Sequence, residues 1–241
     1  MNLFCRNRLL LLIIPLLTLV FSCSARIEGS VRDGGAADLS VKTALEPRTI
    51  ALIRSLRGFM GDASGKPILD GQAISRSMSS SEGIRSVSLN NTGPAALDGV
   101  IFISNVDNFL RVSGAKGRFI TYTQGREPGT SSIIIQFGMD YAPEIISMLS
   151  EEVEEYLSAL MAPAVTGEIC TRKEYLDLVS SIYSRPLADE INAARIRASI
   201  DFPRPITSVR GGAASGNRAE FNIPLADILV LETPLRYEVS W

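Results

Sequence analysis

Any chemistry in this chain is done without imidazole, because its 241 residues include no histidine. That removes the usual side-chain base at neutral pH, the Ser-His and Cys-His nucleophile pairs, and every histidine metal site. Thiols, hydroxyls, carboxylates and amines remain. Cys170 is a lone thiol without a base beside it, which suits a small apolar residue ahead of a helix better than a nucleophile. Ser64 and Lys66 are close in sequence, but no second lysine follows in the order that Ser-Lys hydrolases use. Glu151, Glu152, Glu154 and Glu155 are the densest acid group. On a helix they fall largely off the apolar stripe, and metal capture would need further ligands converging from elsewhere. The string Asp62-Ala63-Ser64-Gly65 lacks the remaining acids of a calcium loop. Gly211, Gly212 and Gly216 lack the Lys-Ser/Thr ending of a phosphate loop and read as a turn. Arg204, Arg210 and Arg218 lie along an expected hairpin. They either meet phosphate or an acidic partner, or protect an edge strand by charge. These residues lead us to expect a non-enzymatic protein with no cofactor and no metal.

Cys23 stands apart because of what precedes it. Arg6 and Arg8 form a positive start, and Leu9–Val20 is an apolar run containing Pro15. The mainly apolar stretch Leu9–Phe21 is thirteen residues long, short of the roughly 17–25 that a spanning helix needs. This is the pattern of a secretory signal. It ends in Leu19-Val20-Phe21-Ser22-Cys23, which resembles the lipobox of bacterial lipoproteins, with the relaxed form (Phe21) found in spirochete lipoproteins. The resemblance implies cleavage between Ser22 and Cys23 and a diacylglycerol thioether on Cys23, which anchors the chain in a membrane of the cell envelope. The leader carries two arginines and no acid, so the remainder holds 22 basic and 26 acidic residues, net −4. That balance argues against nucleic acid as a partner.

The elements that must position any site are legible as periodicities. Residues 1–22 read as signal, 23–36 as lipidated cysteine and tether, and 37–241 as a single α+β envelope domain. Short strands are expected over 27–31 and 37–45 about an Asp33-Gly34-Gly35 turn. Helices follow from Pro47 to about Phe59 and over 70–78. Strands are expected over 83–90 and 98–104, with a turn at Asn90–Pro94, then one helical turn at 106–112. Segments 118–124 and 131–138 form a hairpin. The clearest apolar stripe predicts a helix over 141–161. A capping box at Thr171–Glu174 starts the next helix, which Pro186 interrupts. Strands return at 197–202, at a hairpin of 206–209 with 218–223, and at 235–241. The runs Ile133–Ile135 and Ile228–Leu231 are strand-sized. Strands, helices and strands again predict an α+β fold, a mainly antiparallel curved sheet from both chain ends packed with a central helical segment.

Two segments share a further likeness. Gly29-Ser30-Val31-Arg32-Asp33-Gly34-Gly35-Ala36-Ala37-Asp38-Leu39-Ser40-Val41 near the start, and Ile206–Val209 with Gly216-Asn217-Arg218-Ala219-Glu220-Phe221 near the end, resemble the LppM-type lipoprotein domain. That resemblance implies a curved sheet with helices and a lipid-like ligand. The expectation is a lipid-anchored cell-envelope lipoprotein with a binding domain outside the cytoplasm. Its partners are the membrane through Cys23 and a lipid-like ligand or an envelope protein. The alternative is a structural or protein-interaction lipoprotein without a small-molecule pocket.

Overall fold

A computed structural model describes residues 23–59, 67–112, 119–127, 129–146 and 151–241. The signal, Ser22 and the Ser64–Lys66 pair lie outside the described residues. Strand β1 (Cys23–Val31) pairs antiparallel with β2 (Ala37–Leu45), turning through Gly34 and Gly35 at φ +90° and +80°. Those left-handed angles are strained for any residue with a Cβ. The strand expected over 27–31 and the turn at Asp33–Gly35 form as read, and the strand starts earlier, at Cys23, so residues 23–26 of the expected tether are strand. Ala25 and Ile27 are buried while Ser24, Arg26 and Glu28 are exposed. This period-two alternation is hidden in a composition that reads as linker.

Two sheets result. The first is seven-stranded, in the order β3 (Ile84–Gly93), β4 (Ala96–Ile103), β2, β1, β7 (Arg195–Asp201), β10 (Arg218–Pro224), β9 (Ala213–Ser215). The second is four-stranded, in the order β5 (Ile120–Thr123), β6 (Ser132–Phe137), β11 (Leu235–Ser240), β8 (Ser208–Arg210). Among the described strands only β1 with β7 is parallel, and this pair joins an early and a late segment at the middle of the larger sheet. The fold is α+β and mainly antiparallel, as expected.

The helices are α1 (Pro47–Phe59), α2 (Gly71–Ser79), α3 (Val106–Val112), α4 (Ala142–Ile146), α5 (Glu151–Ala159), α6 (Pro163–Thr166), α7 (Arg172–Ile182), α8 (Arg185–Ala193) and α9 (Leu225–Val230). The capping box forms as read: Thr171 accepts from the Glu174 N–H, and Glu174 accepts from the Thr171 N–H at 2.7 Å. Ser184 caps α8 just before Pro186, so the proline opens a new helix rather than kinking an old one. The first turn of α1 is capped from a distance. The Glu190 carboxylate of α8 accepts from the N–H of Arg48 at 3.1 Å and of Thr49 at 3.2 Å.

Four expectations are corrected in detail. The helix expected over 141–161 is α4 and α5, preceded by a 3₁₀ turn at Met139–Tyr141, with 147–150 outside the described residues. The polar run Asn90–Gly93 continues β3, and the reversal falls at Pro94–Ala95. Asn91 is retained there because it bonds across to α2, accepting from the Gly71 N–H at 3.0 Å. Residues 228–230 end helix α9 and Leu231 caps it at φ +50°, since a short apolar run does not by itself distinguish strand from helix. Finally, 206–209 and 218–223 are not partners: β8 joins the four-stranded sheet and β10 the seven-stranded one. Gly211 and Gly212 carry the chain between them. A Cβ would lie 2.7 Å from the Arg236 carbonyl at the first and 2.4 Å from the Glu220 carbonyl at the second.

One core runs from Ala25 to Trp241, and every described element lies within 23–241. No described helix is long and apolar enough to cross a membrane.

Candidate functional site: an apolar cavity between two sheets

The two sheets do not close on each other completely. A cavity of about 350 Å³ lies between them. Its floor is the inner face of the seven-stranded sheet, with Ile27 from β1, Val41 from β2, Ala198 from β7 and Phe221 from β10. Its roof is the four-stranded sheet, with Ile133 and Ile135 from β6 and Val239 from β11. Ile74 and Met78 of α2, Phe109 of α3 and Leu157 of α5 wall the sides. The alternation that makes each strand half apolar thus supplies one face of the site.

The lining is hydrocarbon with few polar exceptions. Thr43 and Glu238 contribute, and Glu238 is held by Arg236 at 2.8 Å. The Tyr122 and Tyr237 phenols are both pushed above their ordinary pKa, mainly by burial and secondarily by Asp107 and Asp227 respectively. They stay protonated. Near Tyr122, Trp241 is 2 % exposed and its ring sits 4.5 Å from that of Phe202. The Trp241 backbone exchanges hydrogen bonds with Ser131, so the last residue of the chain is tied into this end of the cavity. No nucleophile and base meet on this lining. The arrangement can desolvate and hold an apolar chain.

The residues singled out in the sequence fall elsewhere. Cys23 is the first residue of β1, in register with Leu45. Cys170 is half-buried ahead of α7, and its thiol is raised by burial first and then by Glu174, Glu168 and Glu232, so it is not a ready thiolate. Glu154 and Glu155 are exposed on α5. Among the described residues no three Cys, Asp or Glu groups converge as metal ligands. The three arginines do not converge either. Arg204 donates to the Arg126 carbonyl at 2.8 Å, Arg218 grips Asp201 through two bonds of 2.8 and 2.7 Å, and Arg210 is exposed on β8. The cavity itself was missed, because its lining is assembled from many separate segments whose apolar positions read only as core. The available signal was a surplus of inward-facing apolar strands over the helices that must cover them.

The class defined by this fold and site is a two-sheet α+β domain enclosing an apolar cavity. No family model matches the chain, and no curated protein does. Among solved structures, the folded domain of the Mycobacterium tuberculosis protein LppM is similar, with a TM-score of 0.41, 9 % identity, and coverage of 91 % of this chain and 89 % of that one.

Proposed function

We propose that this protein is a lipid-anchored envelope lipoprotein whose domain binds a lipid-like molecule between its two sheets and does not catalyse a reaction. The observation that carries the reading is the hydrocarbon-lined cavity. Such a lining gives water almost no hydrogen-bond partner, and an apolar occupant that covers it gains about 25 cal/mol for each Å² of apolar surface buried. The lining offers no charge that is not already paired, which favours an acyl chain or similar hydrocarbon over a charged metabolite. The anchor rests on the signal ending at Ser22 and on Cys23, the +1 residue of the lipobox-like string.

The test is native mass spectrometry of residues 24–241 secreted to a bacterial periplasm, with the denatured mass as reference. A discrete excess mass that disappears on denaturation, and is recovered as lipid by solvent extraction, is the expected result. A bare monomer mass from such lipid-rich material would overturn the ligand reading and leave a protein-interaction lipoprotein. The anchor is read separately. The full chain should incorporate labelled palmitate in a bacterial host, and Cys23→Ser should not.

A further inference from the structure

The outer face of the seven-stranded sheet carries a charge gradient that only the strand register reveals. Arg26 lies opposite Lys42 on one side and opposite Arg197 on the other, so three cations stand side by side across β2, β1 and β7. Arg195 shares their face, two residues from Arg197 toward the Cys23 end of the sheet. Against these stands Asp98, opposite Lys42. Moving away from Cys23 the charges become mixed: the next two rows hold Glu28, Glu220, Asp38 and Asp201, with Arg218 on Asp201 and both Arg32 and Arg85 on Asp38. Lys42, Arg26 and Arg197 are all exposed. Arg26 reaches back to Glu28 at 2.9 Å, while Lys42 and Arg197 have no ion-pair partner among the described residues.

Like charges opposite one another on adjacent strands destabilise a sheet. Asp98 beside Lys42 and Glu28 on Arg26 offset this in part, but Arg197, between Arg26 and Asn222, has no carboxylate opposite it, and an external anion relieves the row. The row is three residues along β1 from Cys23, about 10 Å at the rise of an extended strand. Between it and the strand end lie only Ser24, Ala44 and Ala96 beside Arg195, small residues that keep nothing bulky in front of the cations.

We infer that this basic row is a docking surface for the anionic phospholipid headgroups of the membrane that holds Cys23. The inference rests on the reading of Cys23 as the anchor. Because the strand begins at Cys23, β1 brings the row to within about a Debye length of the headgroups, and the rows of mixed charge lie farther from them. Charge complementarity then sets the domain's orientation on the bilayer, beyond what a single attachment point does.

The test is flotation of residues 24–241, without the lipid, on vesicles of phosphatidylcholine alone or of equal parts phosphatidylcholine and phosphatidylglycerol. Binding is expected to the anionic vesicles only, and it should weaken with salt. The triple variant Lys42→Gln, Arg26→Gln, Arg197→Gln should bind roughly a hundredfold more weakly, at about fivefold per cation. Its melting temperature should not fall, since like-charge neighbours are relieved. Glu28→Gln, which frees Arg26, should bind more tightly. The pair Lys173→Gln and Arg185→Gln, on the helices, should bind as wild type. Equal binding to both vesicle types, an unchanged triple variant, or an equal loss in the helix pair overturns the inference. Acylation is scored independently, by the mass of the full chain from membranes. An unacylated chain with intact vesicle binding removes the anchor, whereas an acylated chain with an insensitive triple variant removes the docking surface.

Discussion

Filling the cavity distinguishes a binding site from a loosely packed core. Ala198 lies on β7 between Ile27 of β1 and Phe221 of β10, and its methyl faces the void. Ala198→Phe fills on the order of 100 Å³, which at roughly 24 cal/mol per Å³ recovers about 2 kcal/mol in a protein whose cavity is empty. In a domain of this size that raises the melting temperature by about 4–8 °C. In a protein whose cavity is occupied the same ring competes with the occupant, and overpacking costs about 1–3 kcal/mol. The sign of the effect therefore depends on lipid. Protein extracted with organic solvent while unfolded, then refolded, should melt higher as Ala198→Phe than as wild type. Protein taken directly from the periplasm should melt lower, and should carry less bound lipid by native mass spectrometry. The reasoning is refuted if the variant lowers the melting temperature in both preparations and its bound mass is unchanged, because the ring would then have met side chains rather than a ligand.

Three further outcomes follow from contacts described above. Glu190→Ala removes the carboxylate that caps α1 from α8, and should cost about 1–2 kcal/mol by urea unfolding; a change below about 0.5 kcal/mol would show that the first turn of α1 is satisfied without it. Tyr175 is fully buried on α7 and its hydroxyl has no hydrogen-bond partner among the described residues, so Tyr175→Phe should stabilise by about 1 kcal/mol, and a clear loss of stability in denaturant would reveal a partner. Hydrogen bonds to the Thr171 N–H and hydroxyl depress the pKa of Glu174, and Arg218 depresses that of Asp201. A carboxyl lower in the folded than in the unfolded state stabilises above its unfolded value, about 4, and the contribution disappears as pH falls through the folded value. Urea midpoints of Glu174→Gln and Asp201→Asn should accordingly fall less steeply than wild type on acidification; parallel curves would remove these groups as the cause.

The elements were largely legible where a local rule acts alone. The Thr171–Glu174 capping box, the Gly34-Gly35 turn and the alternation of Leu235, Tyr237, Val239 and Trp241 each state their structure within a few residues. Misreadings arose where the deciding partner is distant. Residues 23–26 look like linker until β7, far along the chain, supplies the other side of the strand. The polar run Asn90–Gly93 has the composition of a turn, and is kept extended by α2 through Asn91. The segments 206–209 and 218–223 look like one hairpin because turn chemistry fixes where a chain reverses, not which sheet each arm joins. The site was less legible than the fold. A cavity is a deficit of side-chain volume summed over many segments, and no single window of sequence carries that sum. The row Lys42, Arg26, Arg197 was equally hidden, since the three are neighbours only through register.

The position of β1 also has a mechanical meaning. Cys23 begins a strand flanked on both sides, nine residues in register with β2 and six with β7. A pull at Cys23 runs along β1, parallel to its length, and loads the two ladders in shear. Hydrogen bonds under that load resist together, whereas a strand peeled from an edge yields them one by one. Force applied at Cys23 is thus spread over the middle of the larger sheet rather than taken up at its edge.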